Sequence, residues 1–294
     1  MHWFTQPLHD FAFFRHALVA GVLGGALCGL VGVYVVLRRM SYIGHGLSHA
    51  IFGGAVASYV AQVNFYIGAG AWGLVSALLI NAVARRRKIG ADAAIGIVTT
   101  ASFAIGVALI SRYHRFQQNF DAALFGNIVG VSLQQVYVLI GVTIFVIGVV
   151  FFRYRRLLFV TFDPEVADSY GVSARRYDSL FALVLAATVV STMQILGVTL
   201  IAATIVIPAI VARLVTDSFG RMLVISAAVG AVCGFAGMYI SFYWDLASGS
   251  TIVLFAAALF VLVYAATAVI SRRRLSVIGG EGEVDMGGPS VHLG

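Results

Sequence analysis

Two histidines set four residues apart, His45 and His49, lie in the stretch Arg38-Arg39-Met40-Ser41-Tyr42-Ile43-Gly44-His45-Gly46-Leu47-Ser48-His49-Ala50-Ile51-Phe52-Gly53-Gly54. On an α-helix, positions i and i+4 share one face, so both imidazoles can address a common atom. A neutral imidazole is a nitrogen donor, and a converging pair is a site that a Zn²⁺-like cation would choose. Ser48, next to His49, could add an oxygen. Glycines at 44, 46, 53 and 54 let a neighbouring helix or a ligand approach the backbone closely. The plainer alternative is that the imidazoles only hydrogen-bond to adjacent helices.

The segments that must position this pair are apolar. Of 294 residues, 61% are hydrophobic and 11% charged, against roughly 25% charged in an average soluble domain. No soluble core hides so much apolar sequence, so the composition predicts an all-α, polytopic membrane helix bundle. The net charge of +7 falls in short clusters between apolar segments. It therefore reads as membrane-orienting charge and not as a nucleic-acid surface. Cys28 and Cys233 sit inside apolar segments as small packing residues, and no disulfide framework follows. Residues 1–14 mix His, Asp and Gln with aromatics, which predicts an interfacial segment in place of a signal peptide.

A helix needs about 20 apolar residues to cross the bilayer core. That rule gives about nine spans: 16–37, 42–61, 66–84, 93–111, 129–152, 178–194, 198–215, 222–243 and 251–270. Gln194 to Gly197 is the thinnest divider. The chain is expected to turn or break at Gly197, with a kink at Pro208; without that break, eight spans remain. This layout puts every Lys and Arg on one side except Arg15, Arg112 and Arg115. By the positive-inside rule that side is cytoplasmic, with the N-terminus outside and the C-terminus in the cytoplasm.

His49 then stands roughly 16 Å above the Arg38/Arg39 surface, near the midplane. The carboxylates Asp10, Asp92, Asp121, Asp163, Glu165, Asp168, Asp178, Asp217 and Asp245 all fall in loops or at helix ends. The histidine pair is the ionisable chemistry within the spans, and intramembrane ionisable groups are functional candidates by default. Asp245, near the outer mouth, either collects cations or forms a turn. Asp92 is expected to cap the fourth span. His2, His16 and His114 are expected at loops or interfaces.

The inner loop 153–177 carries its own signals. Asp163 suits an N-cap, Pro164 the first helical position, Glu165 and Asp168 the early turns, and Gly171 the stop. A surface helix of under two turns is predicted, too short to stand without support. The chain reads as one transmembrane domain, 1–274. The glycine-rich, acidic tail 275–294 is expected to be disordered.

Several chemistries are excluded or disfavoured. His-Glu-x-x-His is absent, because Gly46 follows His45. Ser48 and His49 diverge by about 100° on a helix, a poor nucleophile–base pair. A proton-coupled carrier would want carboxylates inside the spans. The single lysine, Lys88, follows three arginines and no glycine-rich phosphate loop, so energy must come from another subunit or from a gradient.

The chain resembles the metal-ion permease family of ATP-binding-cassette importers, the membrane subunits for zinc, manganese or iron uptake. The resemblance covers roughly Val19 to Ile270. It rests on Leu37 to Gly44 followed by Leu47-Ser48-His49-Ala50, on Ala94-Ile95-Gly96-Ile97, and on Leu124-Phe125-Gly126-Asn127. It continues through Phe162-Asp163-Pro164-Glu165 with Gly171, Gly197 to Pro208, and Ser241 to Thr251. It implies a homodimer in a bacterial plasma membrane, fed by an extracytoplasmic solute-binding protein and driven by two cytoplasmic ATP-binding subunits. No permanently bound cofactor is implied; the divalent metal is cargo. Segment 157–176 would be the coupling segment, with Asp163, Pro164, Glu165 and Gly171 shaping the docking helix. The family's Gly-Asp-Ala-Leu-Ser-His motif implies an aspartate and a histidine facing the metal path. Here His45 occupies the aspartate position and His49 the histidine. Exchanging a hard carboxylate for imidazole moves preference from Mn²⁺ towards Zn²⁺.

Overall fold

A computed structural model describes residues 11–84, 90–113 and 130–281, together with Pro7 and Gly126. The helices are α1 (Ala12–Leu37), α2 (Ser41–Val60), α3 (Phe65–Ala84), α4 (Ala91–Arg112) and α5 (Leu133–Phe162). They continue as α6 (Pro164–Ser169), α7 (Ala174–Leu196), α8 (Ile201–Val215), α9 (Phe219–Trp244) and α10 (Ser248–Glu281). No strand occurs among the described residues. The N-terminal segment apart from Pro7 and residues 11–14, the Arg85–Lys88 cluster, His114, Arg115, Asp121, Leu124, Phe125, Asn127 and the tail from residue 282 lie outside them.

Each expected span corresponds to a helix. Seven of these helices are long and apolar enough to cross a membrane by length and composition. The other two depart for readable reasons. α2 has 20 residues but interrupts its apolar run with Ser48 and the histidines. α8 has 15 residues, about 22 Å, which is less than the bilayer core of about 30 Å.

Gly197 ends α7 with φ +83°, a left-handed conformation that glycine adopts without strain. The chain then reverses. α7 runs against α1, since Asp178 meets Arg38 and Thr192 meets Cys28. α8 runs with α1, since Thr204 lies by Cys28 and Ala209 lies by Gly32. The two arms make few contacts with each other: α8 packs on α1, α9 and α10. The expected break is therefore a reversal buried inside the bundle, with Val198 fully buried.

Two helix groups result. α1 packs most extensively on α9, with α8 and α10 completing that group, while α2 packs on α4 and α3. α7 touches both groups, and α5 lies on α1 and α7. The α1–α9 seam is built from glycine. A Cβ on Gly25 would be driven into the Gly230 carbonyl, and one on Gly234 into the Gly21 carbonyl. The Ser226 hydroxyl donates to the Gly29 carbonyl at 2.6 Å. Small residues let two backbones close to contact where lipid supplies no hydrophobic push.

Three local expectations change. α5 continues to Phe162, so Arg153, Arg155 and Arg156 sit on a helix and not in a loop. Ser132 and Gln135 form a full capping box at its start, and arginine is a good helix former beyond the apolar run. Asp92 does not cap α4: Gly90 is the N-cap, and Asp92 lies in the first turn. There its charge still complements the helix dipole. Finally, α10 continues past Arg274 to Glu281, into the segment where composition predicts a disordered tail.

Candidate metal-binding face

α2 presents His45 and His49 on one face, as their spacing requires. Their ring centroids lie 4.6 Å apart with planes at 75°. His45 is exposed and His49 half-buried. On one side His49 meets the Phe103 ring of α4 edge-on, with centroids 5.2 Å apart, and Phe52 packs behind Phe103. The two rings thus meet on one face of α2, the arrangement in which imidazoles can address a common atom. The other face of the pair is open.

Glycines set this geometry. A Cβ on Gly46 would strike the Ile95 and Thr99 side chains, and one on Gly53 the Ser102 carbonyl. α4 therefore lies hard against α2 and leaves the imidazoles at the edge of the seam. The exposed positions of α4 include the small Gly96, Thr100, Ala101 and Ala104 and the large Ile97, Ile105 and Val107. Among the described residues, no group of three or more His, Cys, Asp or Glu could hold a metal ion. A tetrahedral metal site takes four donors, and this face offers two imidazoles.

The remaining candidates have other places. Ser48 is fully buried, and its hydroxyl lies 2.9 Å from the Val198 carbonyl and 2.8 Å from that of His45. It ties α2 to the 197–200 reversal, and the structure does not bring it onto the imidazole face. Asp245 is exposed and closes α9 in a left-handed conformation, φ +51°, with its N–H donating to the Ser241 carbonyl. Its observed work is turn formation.

The short helix follows its sequence signals closely. The Asp163 carboxylate accepts from the Val166 N–H at 3.0 Å, Pro164 is at the first position, and Gly171 takes φ +78°. Asp168 adds a link that sequence reading missed: its carboxylate accepts from the Ala174 N–H at 2.7 Å, capping α7. Buried Ala167 anchors α6. Phe162, Val166 and Tyr170 remain 62%, 41% and 77% exposed, an apolar patch at the protein's arginine-rich end.

Arg38, the C-cap of α1, ties the helices together at that end. Its Nη1 lies 2.9 Å from Asp178 Oδ1 of α7, its Nε donates to Thr161 Oγ1 of α5 at 3.2 Å, and its guanidinium sits 4.5 Å over the Phe181 ring. The side chain is only 9% exposed. Removing Asp178 takes the carboxylate from a buried guanidinium, and removing Arg38 takes away its bonds to α5 and α7, each a loss of about 1–3 kcal/mol. Arg38→Ala and Asp178→Ala are each expected to lower the thermal unfolding midpoint of the purified protein. The double variant should do little worse than either single one. A second missed cluster joins three helix ends: Gln135 donates to Gln194, whose carbonyl oxygen is 3.5 Å from the Tyr66 hydroxyl.

Residues 10–267 match the model of the ABC 3 transport family. The chain belongs to that family. This permease is 35% identical over 262 residues to the manganese transport system membrane protein MntC of Halalkalibacterium halodurans, spanning 89% of this chain and 90% of the relative. It is 32% identical over 263 residues to a probable iron transport system membrane protein of Haemophilus influenzae, spanning 90% and 96%. Its fold superposes on PsaBC from Streptococcus pneumoniae in complex with Fab with a TM-score of 0.82 at 31% identity, covering 89% and 94%. The chain is thus the membrane-embedded permease subunit of a metal ABC importer, a multi-pass membrane protein whose role is transport.

Proposed function

We propose that this permease carries a divalent transition metal, Zn²⁺ foremost, from an extracytoplasmic binding protein to the cytoplasm along the His45/His49 face. The observation that carries this reading is the open imidazole pair at the edge of the α2–α4 seam, 4.6 Å between rings. A face that carries two imidazoles is a poor lipid surface and suits contact with protein or a cavity. A second copy of the chain, related by a two-fold axis, would bring a second pair opposite the first and complete a four-imidazole set. Two weak half-sites suit transport, which needs a metal to leave as readily as it arrives.

The ATP-binding subunits would dock on α6, whose exposed Val166 needs cover together with Phe162 at the end of α5. Asp168 and Arg38 then provide a route for motion from α6 into α7 and the end of α1, from which the chain enters α2. The N-terminus lies outside and the C-terminus inside in this arrangement. The relatives named for manganese and iron favour a second reading, in which the cargo is Mn²⁺ or Fe²⁺. Donor chemistry separates the two: imidazole suits Zn²⁺, whereas carboxylate suits Mn²⁺.

The test is uptake of ⁶⁵Zn and ⁵⁴Mn by cells expressing the whole transporter, wild type against His45→Asp. The expected result is a higher Mn-to-Zn uptake ratio in His45→Asp. An unchanged ratio would mean that residue 45 takes no part in selecting the metal.

A further inference from the structure

A groove of about 1040 Å³ opens between the second half of α5 and the start of α7. Its walls are of two kinds. Ile144, Phe145 and Phe152 of α5 form an apolar wall, 66%, 42% and 81% exposed. Arg153, Arg156 and Arg176 form the other end, at the inner membrane surface. Ile144 lies nine residues before Arg153, so at 1.5 Å per residue the groove climbs roughly 13 Å into the hydrocarbon layer.

The cationic end is held in place. The buried Tyr177 hydroxyl accepts from Arg153 Nη1 and from Arg156 Nη1, both at 3.3 Å. One phenol therefore holds two guanidinium groups side by side. None of the three arginines has a carboxylate within ion-pair distance among the described residues. The nearby acids are engaged elsewhere, Asp178 with Arg38 and Asp168 with the α7 N-terminus.

We propose that this groove binds one anionic phospholipid of the inner leaflet, its phosphate diester on Arg153, Arg156 and Arg176 and an acyl chain along Phe145 and Phe152. Paired guanidinium groups match phosphate oxygens in geometry and charge, and basic pockets at the cytoplasmic ends of spans attract acidic headgroups. A cytoplasmic subunit cannot follow the groove to the depth of Ile144. A second copy of this chain is disfavoured too, because three arginines without carboxylate partners close one end of the groove, and bringing a second such set up against them would set like charges together. The inference rests on the membrane placement of α5 and on no assumption about the transported metal.

Native mass spectrometry of the assembled transporter, released from nanodiscs of equal phosphatidylglycerol and phosphatidylcholine, tests it. Wild type is expected to retain phosphatidylglycerol over phosphatidylcholine by about fivefold or more. Arg153→Gln/Arg156→Gln/Arg176→Gln should abolish the preference, and Arg176→Gln alone should weaken it without touching the Tyr177 contacts. Arg175→Gln, an exposed arginine outside the groove, should leave it intact. Soluble glycerophosphoglycerol should not displace the lipid. Equal retention of both lipids by wild type would overturn the proposal, as would unchanged retention in Arg176→Gln and in the triple variant. So would equal loss in Arg175→Gln, displacement by the free headgroup, or loss of the ATP-binding subunits or the second copy with retention intact.

Discussion

His49→Ala is expected to lower metal uptake roughly tenfold or more, the scale on which metal sites respond to the loss of supporting groups, with normal amounts of protein in the membrane. The side chain meets the His45 and Phe103 rings, and it is half-exposed, so its removal opens no sealed cavity. The helix loses nothing either, since alanine is its best former. What is lost is one of the two nitrogen donors on the open face. His16→Ala, on the half-buried flank of α1, serves as the control and should leave uptake unchanged. If His49→Ala transports at the wild-type rate, the pair is packing, and the path runs elsewhere.

Gly25→Ala is expected to leave almost no assembled permease, while Gly24→Ala is tolerated. The two glycines are neighbours, and the added atom is the same. At Gly24 a Cβ would rest 3.5 Å from a Thr192 methyl, ordinary contact, whereas at Gly25 it would enter the Gly230 backbone carbonyl. A side chain can yield by rotating, but a carbonyl moves only with its helix, and α1–α9 is the most extensive helix pair in the bundle. Overpacking of even a well-placed side chain costs roughly 1–3 kcal/mol, and here the obstruction is main chain on both sides. Fluorescence-detected size-exclusion chromatography of tagged variants reads the outcome. Equal monodisperse peaks for both variants would mean that the α1–α9 seam is looser than described.

The features legible in the sequence are those carried by local chemistry. Apolar windows located the seven helices long and apolar enough to cross a membrane, because a bilayer demands length and hydropathy within one continuous segment. Asp163, Pro164 and Gly171 placed α6 because capping acts over a few residues. Gly197 marked the reversal, and the i, i+4 spacing put His45 and His49 on one face. The features that stayed hidden depend on distant partners. Nothing near Arg38 in the sequence points to Asp178 or Thr161, and nothing near Gly25 points to Gly230. Ser48 looked like a third donor because it adjoins His49, yet its hydroxyl is turned to Val198 by the fold. α5 outran its expected end because the hydropathy window closes at Arg153, while helix propensity and the α5–α7 packing do not. Asp92 was displaced from the cap by a single residue pair, a scale on which pattern reading has little resolution.

The most direct test of the central claim is the rate at which a thiol at position 49 is alkylated in the assembled transporter. His49→Cys would be labelled with a membrane-permeant maleimide in native membranes, with and without Zn²⁺ or Mn²⁺. Wild type reports the background from Cys28 and Cys233, both buried. The account predicts that metal slows labelling of His49→Cys and that adding His45→Ala removes this protection, because two converging donors are needed to hold the ion. Labelling that is indifferent to metal, or protection that survives His45→Ala, would contradict the claim that the two side chains meet on the metal path.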